Sequence, residues 1–170
     1  MINEGAFDDL LRANESFAQT FDDGALPARA ARNLAVVTCM DSRIDPFRIL
    51  GIHAGDAKIL RNAGARVTDD VLRTLVLATY LLDVDRVLVM PHTHCRMAES
   101  TDEQIHALIA AEAGVDTRSL DFRTDPDQGG ALRHDLVKIR SYPYIAGRVR
   151  VGGAVFDVES GRLVPVPLEE

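Results

Sequence analysis

Three reactive or charged side chains stand at alternate positions where an apolar run ends. They are Cys39, Asp41 and Arg43 in the segment "VVTCMDSRIDPFR" (36–48). A cysteine at the end of a buried strand is more often a small core residue than a reactive one. An aspartate and an arginine two residues apart are equally consistent with a surface ion pair worth under about 1 kcal/mol. This segment alone predicts no particular chemistry.

A second segment, "VLVMPHTHCRM" (87–97), changes that interpretation. It holds the only other cysteine, Cys95, three residues after His92. The H-x-x-C spacing lets an imidazole nitrogen and a thiolate bind one tetrahedral ion, and Cys39 from a neighbouring strand end would complete a Cys2His set. Such a set leaves one coordination position open, as in catalytic sites, and favours zinc over magnesium or calcium. We predict one zinc ion per chain.

Asp41 and Arg43 gain a role beside such a site. In an extended segment their side chains point to the same side as that of Cys39. Two thiolates cancel the charge of the dication, so a carboxylate that accepts a hydrogen bond would help to hold a reactive hydroxide on the metal. Arg43 would keep Asp41 ionised and oriented. Asp41 and Arg43 are therefore the predicted catalytic pair.

His94, between the two predicted ligands, is an alternative ligand or a proton shuttle. Adjacent residues of an extended turn point in different directions, so His94 and Cys95 are not expected to bind one ion. An exposed histidine, or one satisfied within the core, is the better prediction.

The elements that must position these residues predict an α/β fold with a mostly parallel central sheet flanked by helices. Short apolar runs at 34–39, 57–60 and 85–90 are typical of buried parallel strands. Strands that alternate with helices pair in parallel through right-handed crossovers. Ligands of such sheets bind outside the carboxyl ends of the strands, which is where Cys39 and the 92–95 segment fall.

Helix signals and the tail complete the pattern. Thr68 is a predicted N-cap, Ser100 and Glu103 form a predicted capping box, and a further helix is expected at about 130–140. The tail 148–166 predicts two strands that end in an antiparallel pair. Its "GG" at 152–153 predicts a bulge or a close backbone approach.

Length and composition bound the remaining possibilities. A chain of 170 residues fits one domain, with 1–33 as a helical arm and loop and 34–170 as the α/β core. The net charge is −7 and no basic run is present, which argues against nucleic-acid binding. No apolar stretch is long enough for a membrane span, and the amino end does not have the order of a signal peptide. We expect a cytoplasmic protein whose cysteines do not form a disulfide.

The segments "CMDSRIDP" (39–46), "RNAG" (61–64) and "HTHC" (92–95) occur in an order and spacing that resemble the β-class carbonic anhydrases. The family pattern is C-x-D-S/A-R, then an R-N-A-G type turn, then H-x-x-C. The likeness extends from about Leu34 into the tail and is greatest to the short bacterial, mycobacterial-type members. The "RNAG" turn is expected to be structural, with Gly64 permitting a tight backbone and Asn62 tying loops together.

The resemblance implies a single β-carbonic-anhydrase-like domain, a homodimer or homotetramer, and zinc held by Cys39, His92 and Cys95. It implies a dyad of Asp41 and Arg43 beside the fourth zinc position. The implied reaction is the reversible hydration of CO2 to bicarbonate and a proton by metal-bound hydroxide. Family members can also hold an inactive state in which the dyad aspartate occupies that fourth position.

Two departures leave the substrate open. The family reads G-H-x-x-C-G, and here Pro91 and Arg96 replace the two glycines. Arg96 could narrow the pocket, attract an anion or point away, and we expect the last. A hydrolase of carbonyl sulfide or carbon disulfide is therefore an alternative. A more distant one is a noncatalytic zinc or redox-sensing protein, in which Asp41 closes the site or Cys39 is a reactive thiol.

Overall fold

A computed structural model of the chain describes residues 5–167. The strands of this part are β1 Leu34–Cys39, β2 Ala57–Asn62, β3 Arg86–Met90, β4 Arg150–Phe156 and β5 Leu163–Val166. Its α-helices are α1 Asp8–Ala18, α2 Pro46–Leu50, α3 Asp69–Leu81, α4 Arg96–Glu99, α5 Asp102–Ala113 and α6 Gln128–Arg140. Between residues 5 and 167, no helix combines the length and apolar character needed to cross a membrane.

The strands form one sheet in the order β2-β1-β3-β4-β5. The first four are parallel, and β5 pairs antiparallel with β4, which confirms the predicted fold class. In the pairing of β1 with β3, Leu34 lies opposite Arg86 and Thr38 opposite Met90. The two strands therefore end at the same edge of the sheet.

Apolar clusters cover the sheet on both faces. Successive side chains of a strand point to opposite faces. Val37 accordingly packs in the larger cluster with Leu75 of α3 and Leu136 of α6. Val36 packs in the smaller one, with Met90. Burial from both sides explains why β1 reads as a continuous apolar run.

The helix starts follow the capping signals, with one correction. The capping box of α5 is formed by Thr101 and Gln104, not by Ser100 and Glu103. Thr101 Oγ1 accepts from the N–H of Gln104 at 3.3 Å, and Gln104 Oε1 accepts from the N–H of Thr101 at 3.0 Å. Both tetrads fit the motif. The start is fixed by Asp102, whose carboxylate accepts a backbone N–H from the loop before α6 at 2.8 Å.

Gly153 is a point of close approach between β4 and α6. Its pairing with Val89 and Val166 continues the ladder on both sides, so the close approach is confirmed and there is no bulge. A Cβ added at Gly153 would lie 2.7 Å from Cδ1 of Leu136 and 3.2 Å from both Cδ atoms of Leu132. The absence of a side chain lets α6 pack directly on the strand.

We expect Gly153→Ala to lower the free energy of unfolding by about 1–3 kcal/mol, because the added methyl overpacks the seam between helix and sheet. Urea unfolding followed by circular dichroism measures the change. Gly152→Ala is the matched control, since a Cβ there has nothing within 4 Å. Equal effects of the two substitutions would contradict this account of the seam.

Candidate metal centre

The carboxyl edge of the sheet brings together the three residues that the sequence predicted as metal ligands. Cys39 ends β1, His92 follows β3, and Cys95 directly precedes α4. Their exposed fractions are 4%, 1% and 3%. One ligand atom from each lies within 4.8 Å of the others, so the cluster could hold a metal ion.

The spacing of the cluster fits zinc. The Sγ atoms of Cys39 and Cys95 are 4.0 Å apart, far beyond the ~2.05 Å of a disulfide. Two thiolates bound at ~2.3 Å to a tetrahedral zinc would be about 3.8 Å apart. The geometry therefore matches two ligands of one ion.

One of the two imidazole nitrogens of His92 is free to bind a metal ion. Its Nδ1 lies 2.8 Å from the carbonyl oxygen of Thr93. Since a carbonyl can only accept, Nδ1 carries the proton and Nε2 keeps a free lone pair. This buried Nε2 has no hydrogen-bond partner among the described residues. A buried polar atom without a partner is costly, and a metal ion would satisfy it.

The buried cluster favours a cation. A hydrogen bond from Cys95 lowers the pKa of Cys39 to about 3, against the opposing effect of burial and with help from His92. The hydrogen bond to the Cys39 thiolate, and then burial, raise the pKa of Cys95. Burial is the largest influence on His92 and lowers its pKa, but Cys39, the Thr93 carbonyl and Asp41 together outweigh burial and the pKa of His92 is raised. A bound metal ion would remove the proton that the two thiols share.

Asp41 and Arg43 form a forked ion pair next to this cluster. Asp41 Oδ1 accepts from the backbone N–H and the Nε of Arg43 at 2.9 and 3.0 Å, and Oδ2 accepts from Nη2 at 2.8 Å. These hydrogen bonds hold the pKa of Asp41 well below its ordinary range. Oδ2 lies 3.7 Å from Nε2 of His92. An ionised carboxylate thus lies close to the nitrogen of His92 that is free to bind a metal ion.

Arg43 also supports the turn that carries Cys95. Its Nη2 donates to the carbonyl oxygen of His94 at 3.0 Å. His94 has a φ of +54°, a left-handed conformation that costs a non-glycine residue on the order of 1 kcal/mol. The ring of His94 is 56% exposed, 3.6 Å from Glu99 and 3.3 Å from Glu159. As predicted, His94 is not part of the ligand cluster.

The "RNAG" turn supports the same edge. Arg61 Nε donates to the carbonyl oxygen of Cys39 at 2.9 Å. The side chain of Asn62 donates to the backbone oxygen of Arg66 at 2.7 Å and accepts from its N–H at 2.9 Å. Gly64 has a φ of +77°. The structural role predicted for this turn is confirmed.

The two departures from the glycine pattern are accommodated without a clash. The Arg96 side chain is 85% exposed, and its Nη1 lies 3.9 Å from Glu99. It does not belong to the ligand cluster, but it lines the same solvent-open pocket as Asp41 and Arg43 and so does not point fully away from the site. Pro91 is buried, and its carbonyl oxygen accepts from the N–H of Phe156 at 2.8 Å.

Two residues that support the site escaped the sequence analysis, and both lie on α6. Gln128 Nε2 donates to the carbonyl oxygen of His92 at 2.7 Å. Buried Asp135 accepts from Arg66 Nε at 2.8 Å and from the N–H of Val67 at 3.0 Å. Neither residue belongs to a local motif. The predicted helix at 130–140 was the only signal nearby, and α6 in fact starts two residues earlier.

The mostly parallel sheet carries a buried Cys2His cluster and a forked Asp–Arg pair at its carboxyl edge. This combination of fold and site is typical of a metalloenzyme. The Carbonic anhydrase family model matches residues 34–163. The chain belongs to the β-carbonic anhydrase family.

Individual relatives agree with this assignment. Beta-carbonic anhydrase 1 of Mycobacterium tuberculosis is 36% identical over 156 residues, which cover 92% of this chain and 94% of the relative. The crystal structure of a carbonic anhydrase from Streptococcus mutans superposes with a TM-score of 0.90 at 35% identity, over 95% of this chain and 97% of that one. A carbon disulfide hydrolase of an Acidianus species is 32% identical, over 78% of this chain and 76% of the relative.

Proposed function

We propose that this protein is a zinc enzyme that reversibly hydrates CO2 to bicarbonate and a proton, with zinc held by Cys39, His92 and Cys95. The observation that carries the proposal is the position of ionised Asp41, 3.7 Å from the buried, unpartnered Nε2 of His92. The carbonic anhydrases among the relatives support the same reaction.

Zinc at this cluster would supply a Lewis acid that brings the pKa of water from its bulk value toward neutrality. Asp41 then acts as a fixed acceptor. Because the carboxylate is held ionised, it can only accept a hydrogen bond. It selects and orients a nucleophile that presents an O–H, and it leaves the oxygen lone pair free for the carbon of CO2.

Arg43 fixes the carboxylate in this role. It donates a hydrogen bond to each carboxylate oxygen of Asp41, so part of the lone pairs of both oxygens is already used. This engagement favours an open fourth position over one closed by Asp41. The additional bond of Arg43 to His94 ties the carboxylate to the ligand turn, and the relative position of nucleophile and acceptor is thereby preserved.

A solvent-open pocket lies next to Asp41. Its lining residues are Asp41, Ser42, Arg43, His94, Arg96 and Glu99. Buffer can reach the Asp41 carboxylate through this pocket and accept the proton there.

We expect about one zinc per chain in the wild type, loss of that zinc in Cys39→Ser, and retained zinc with a roughly 100-fold or greater loss of kcat/KM for CO2 in Asp41→Asn. Cys39→Ser removes a soft ligand, whereas Asp41→Asn removes only the acceptor. Metal analysis and stopped-flow CO2 hydration measure the two effects.

Asp116→Asn is the matched control for Asp41→Asn. Asp116 accepts from the N–H, Nε and Nη2 of Arg118 in the same forked arrangement, away from the cluster. We expect wild-type activity from it. A wild type without zinc would overturn the proposal, and zinc without turnover would indicate a site that Asp41 closes.

The second candidate reaction is hydrolysis of carbonyl sulfide or carbon disulfide on the same site. The carbon disulfide hydrolase among the relatives favours it, as does the replacement of two family glycines by Pro91 and Arg96. Because the Arg96 side chain is 85% exposed and the family model and several relatives are carbonic anhydrases, we rank CO2 first.

A comparison of kcat/KM for the three compounds tests that ranking. We expect kcat/KM for CO2 to exceed the values for carbonyl sulfide and carbon disulfide in the same preparation, with sulfide release as the readout for the latter two. Arg96→Gly restores the family residue and is expected to change the ratio by less than about threefold, since its side chain lies in solvent. Faster turnover of either sulfur compound would reassign the substrate.

We further propose that the chain forms a homodimer, or a tetramer of such dimers, through the arm 1–33. No residue of α1 is buried within the chain. An exposed helix of 11 residues is marginal by itself and needs a surface to pack on. Its exposed apolar side chains, with those flanking it, are Phe7, Leu10, Leu11, Phe17 and Phe21.

A complementary surface lies on the sheet. A shallow depression is lined by Leu34, Leu88, Arg86 and Arg150, among others. Its combination of apolar side chains and arginines suits an amphipathic helix with acidic residues, such as α1 of a second copy. The α/β core 34–170 of one copy would then be covered by the arm of its partner.

Replacing apolar residues of α1 tests this assembly. We expect Leu10→Glu with Phe17→Glu to convert a dimer to a monomer in sedimentation velocity, because the charges would be buried against the partner. Arg12→Glu with Ser16→Glu places acidic residues on the polar side of the same helix and should leave the dimer intact. A wild-type monomer at micromolar concentration would contradict the proposal.

The cytoplasm is the compartment that we propose. Cys39 and Cys95 are free thiols in contact with each other, and a Cys2His site needs both in the reduced state. Reducing compartments maintain such thiols.

A further inference from the structure

The ligand turn is held from two sides, and one of the two supports comes from α6. On the β4 side, the N–H of Thr93 donates to Phe156 O at 2.9 Å, and the N–H of Phe156 donates to Pro91 O at 2.8 Å. The carbonyl of His92, between these two groups, is bonded instead by Gln128 at 2.7 Å. Among the described residues, Gln128 is the side chain that bonds this carbonyl.

The peptide that this bond fixes controls how the imidazole presents its free nitrogen. His92 Nδ1 donates to Thr93 O, which belongs to the next peptide of the same turn. If the His92–Thr93 peptide rotated, Thr93 O would move from Nδ1 and Nε2 would no longer be set as the lone-pair nitrogen. Groups that orient a ligating histidine in this way typically change metal affinity by 10–100-fold when they are removed.

The start of α6 contacts the turn at a second place beyond Cys95. The N–H of Asp125 donates to the carbonyl oxygen of Met97 at 3.0 Å. The segment 125–128 therefore contacts the chain at His92 and again at Met97, two residues after Cys95. Asp127 caps the helix by accepting from the N–H of Gly130 at 2.9 Å, which fixes the base from which Gln128 reaches.

We propose that Gln128 is a positioning residue for the metal ligand His92, so that zinc affinity depends on a hydrogen bond from the first turn of α6. This rests on the proposed function, because it takes zinc as the ion. Gln128 touches neither metal nor substrate. It acts by holding the carbonyl of His92, and its loss would increase the rate at which zinc dissociates.

Gln128→Met keeps the length of the side chain and removes its donor. We expect zinc affinity, measured by competition with a chromophoric chelator, to fall by about tenfold or more. We also expect the thiolate-to-metal and d–d absorption bands of the cobalt-substituted protein to shift from those of the wild type. Gln128→Glu, which places acceptors against a carbonyl, should weaken affinity at least as much.

Gln104→Met is the matched control. Gln104 also lies in the first turn of a helix and bonds a backbone group, the N–H of Thr101 at 3.0 Å, but it does not contact the ligand turn. It should lower thermal stability while zinc affinity stays within about twofold of the wild type. This separates positioning of the ligand from a general loss of stability.

The outcomes are distinct. Zinc affinity of Gln128→Met equal to that of Gln104→Met and the wild type would overturn the inference and leave the proposed function intact. A wild type that binds no zinc would overturn both. If Gln128→Met does not fold, Gln128→Asn applies the same criterion, since its shorter side chain keeps the polarity but does not reach the carbonyl.

Discussion

The candidate site depends on the parallel pairing of β1 with β3. This pairing places two cysteines that are 56 residues apart in the sequence within 4.0 Å of each other. If the strands ran antiparallel, Cys39 and His92 would lie at opposite ends of the sheet. The register is protected because β1 is covered on both faces, and a slip of one residue would turn every side chain of the strand to the wrong face. The apolar core thus fixes the distance between the two thiols.

A second constraint is the balance of charge at that edge. Cys39 and Cys95 share a proton in the absence of a metal, whereas Asp41 is ionised and already matched by Arg43. The guanidinium that serves the carboxylate is half exposed, whereas the two thiols are buried next to His92. A positive ion would stabilise the buried thiolates. Under the proposed function, the arrangement would separate two tasks: the cysteines and histidine would hold the cation, and the aspartate would direct what binds beside it.

Local patterns were sufficient to predict the strands, the ligand cluster and its adjacent carboxylate. Cys39, Asp41 and Arg43 alternate along one segment, and His92 and Cys95 share one turn, so strand geometry alone brings each group to the sheet edge. The support from Gln128 could not be predicted, because the residue lies 36 positions from His92 and reaches it only through the packing of α6.

Two other features were decided by tertiary contacts. The short helix α4 has no capping side chain, and its sequence carries no periodic signal. It forms where the chain leaves Cys95 and packs beside the "RNAG" turn, with Met97 against Gly64. The start of α5 was misplaced by one residue because two overlapping tetrads fit the same motif, and the anchoring of Asp102 by a distant loop distinguishes them.

The absence of a side chain at Gly153 has an effect beyond the core in which this residue lies. It sets how near α6 lies to the sheet, and α6 also carries the amide that reaches His92. A change in the thickness of this layer would therefore move the start of the helix relative to the ligand turn. If Gln128 positions His92 as proposed, core volume and metal retention are mechanically linked, and residues along this seam would influence the coordination chemistry without approaching the ion.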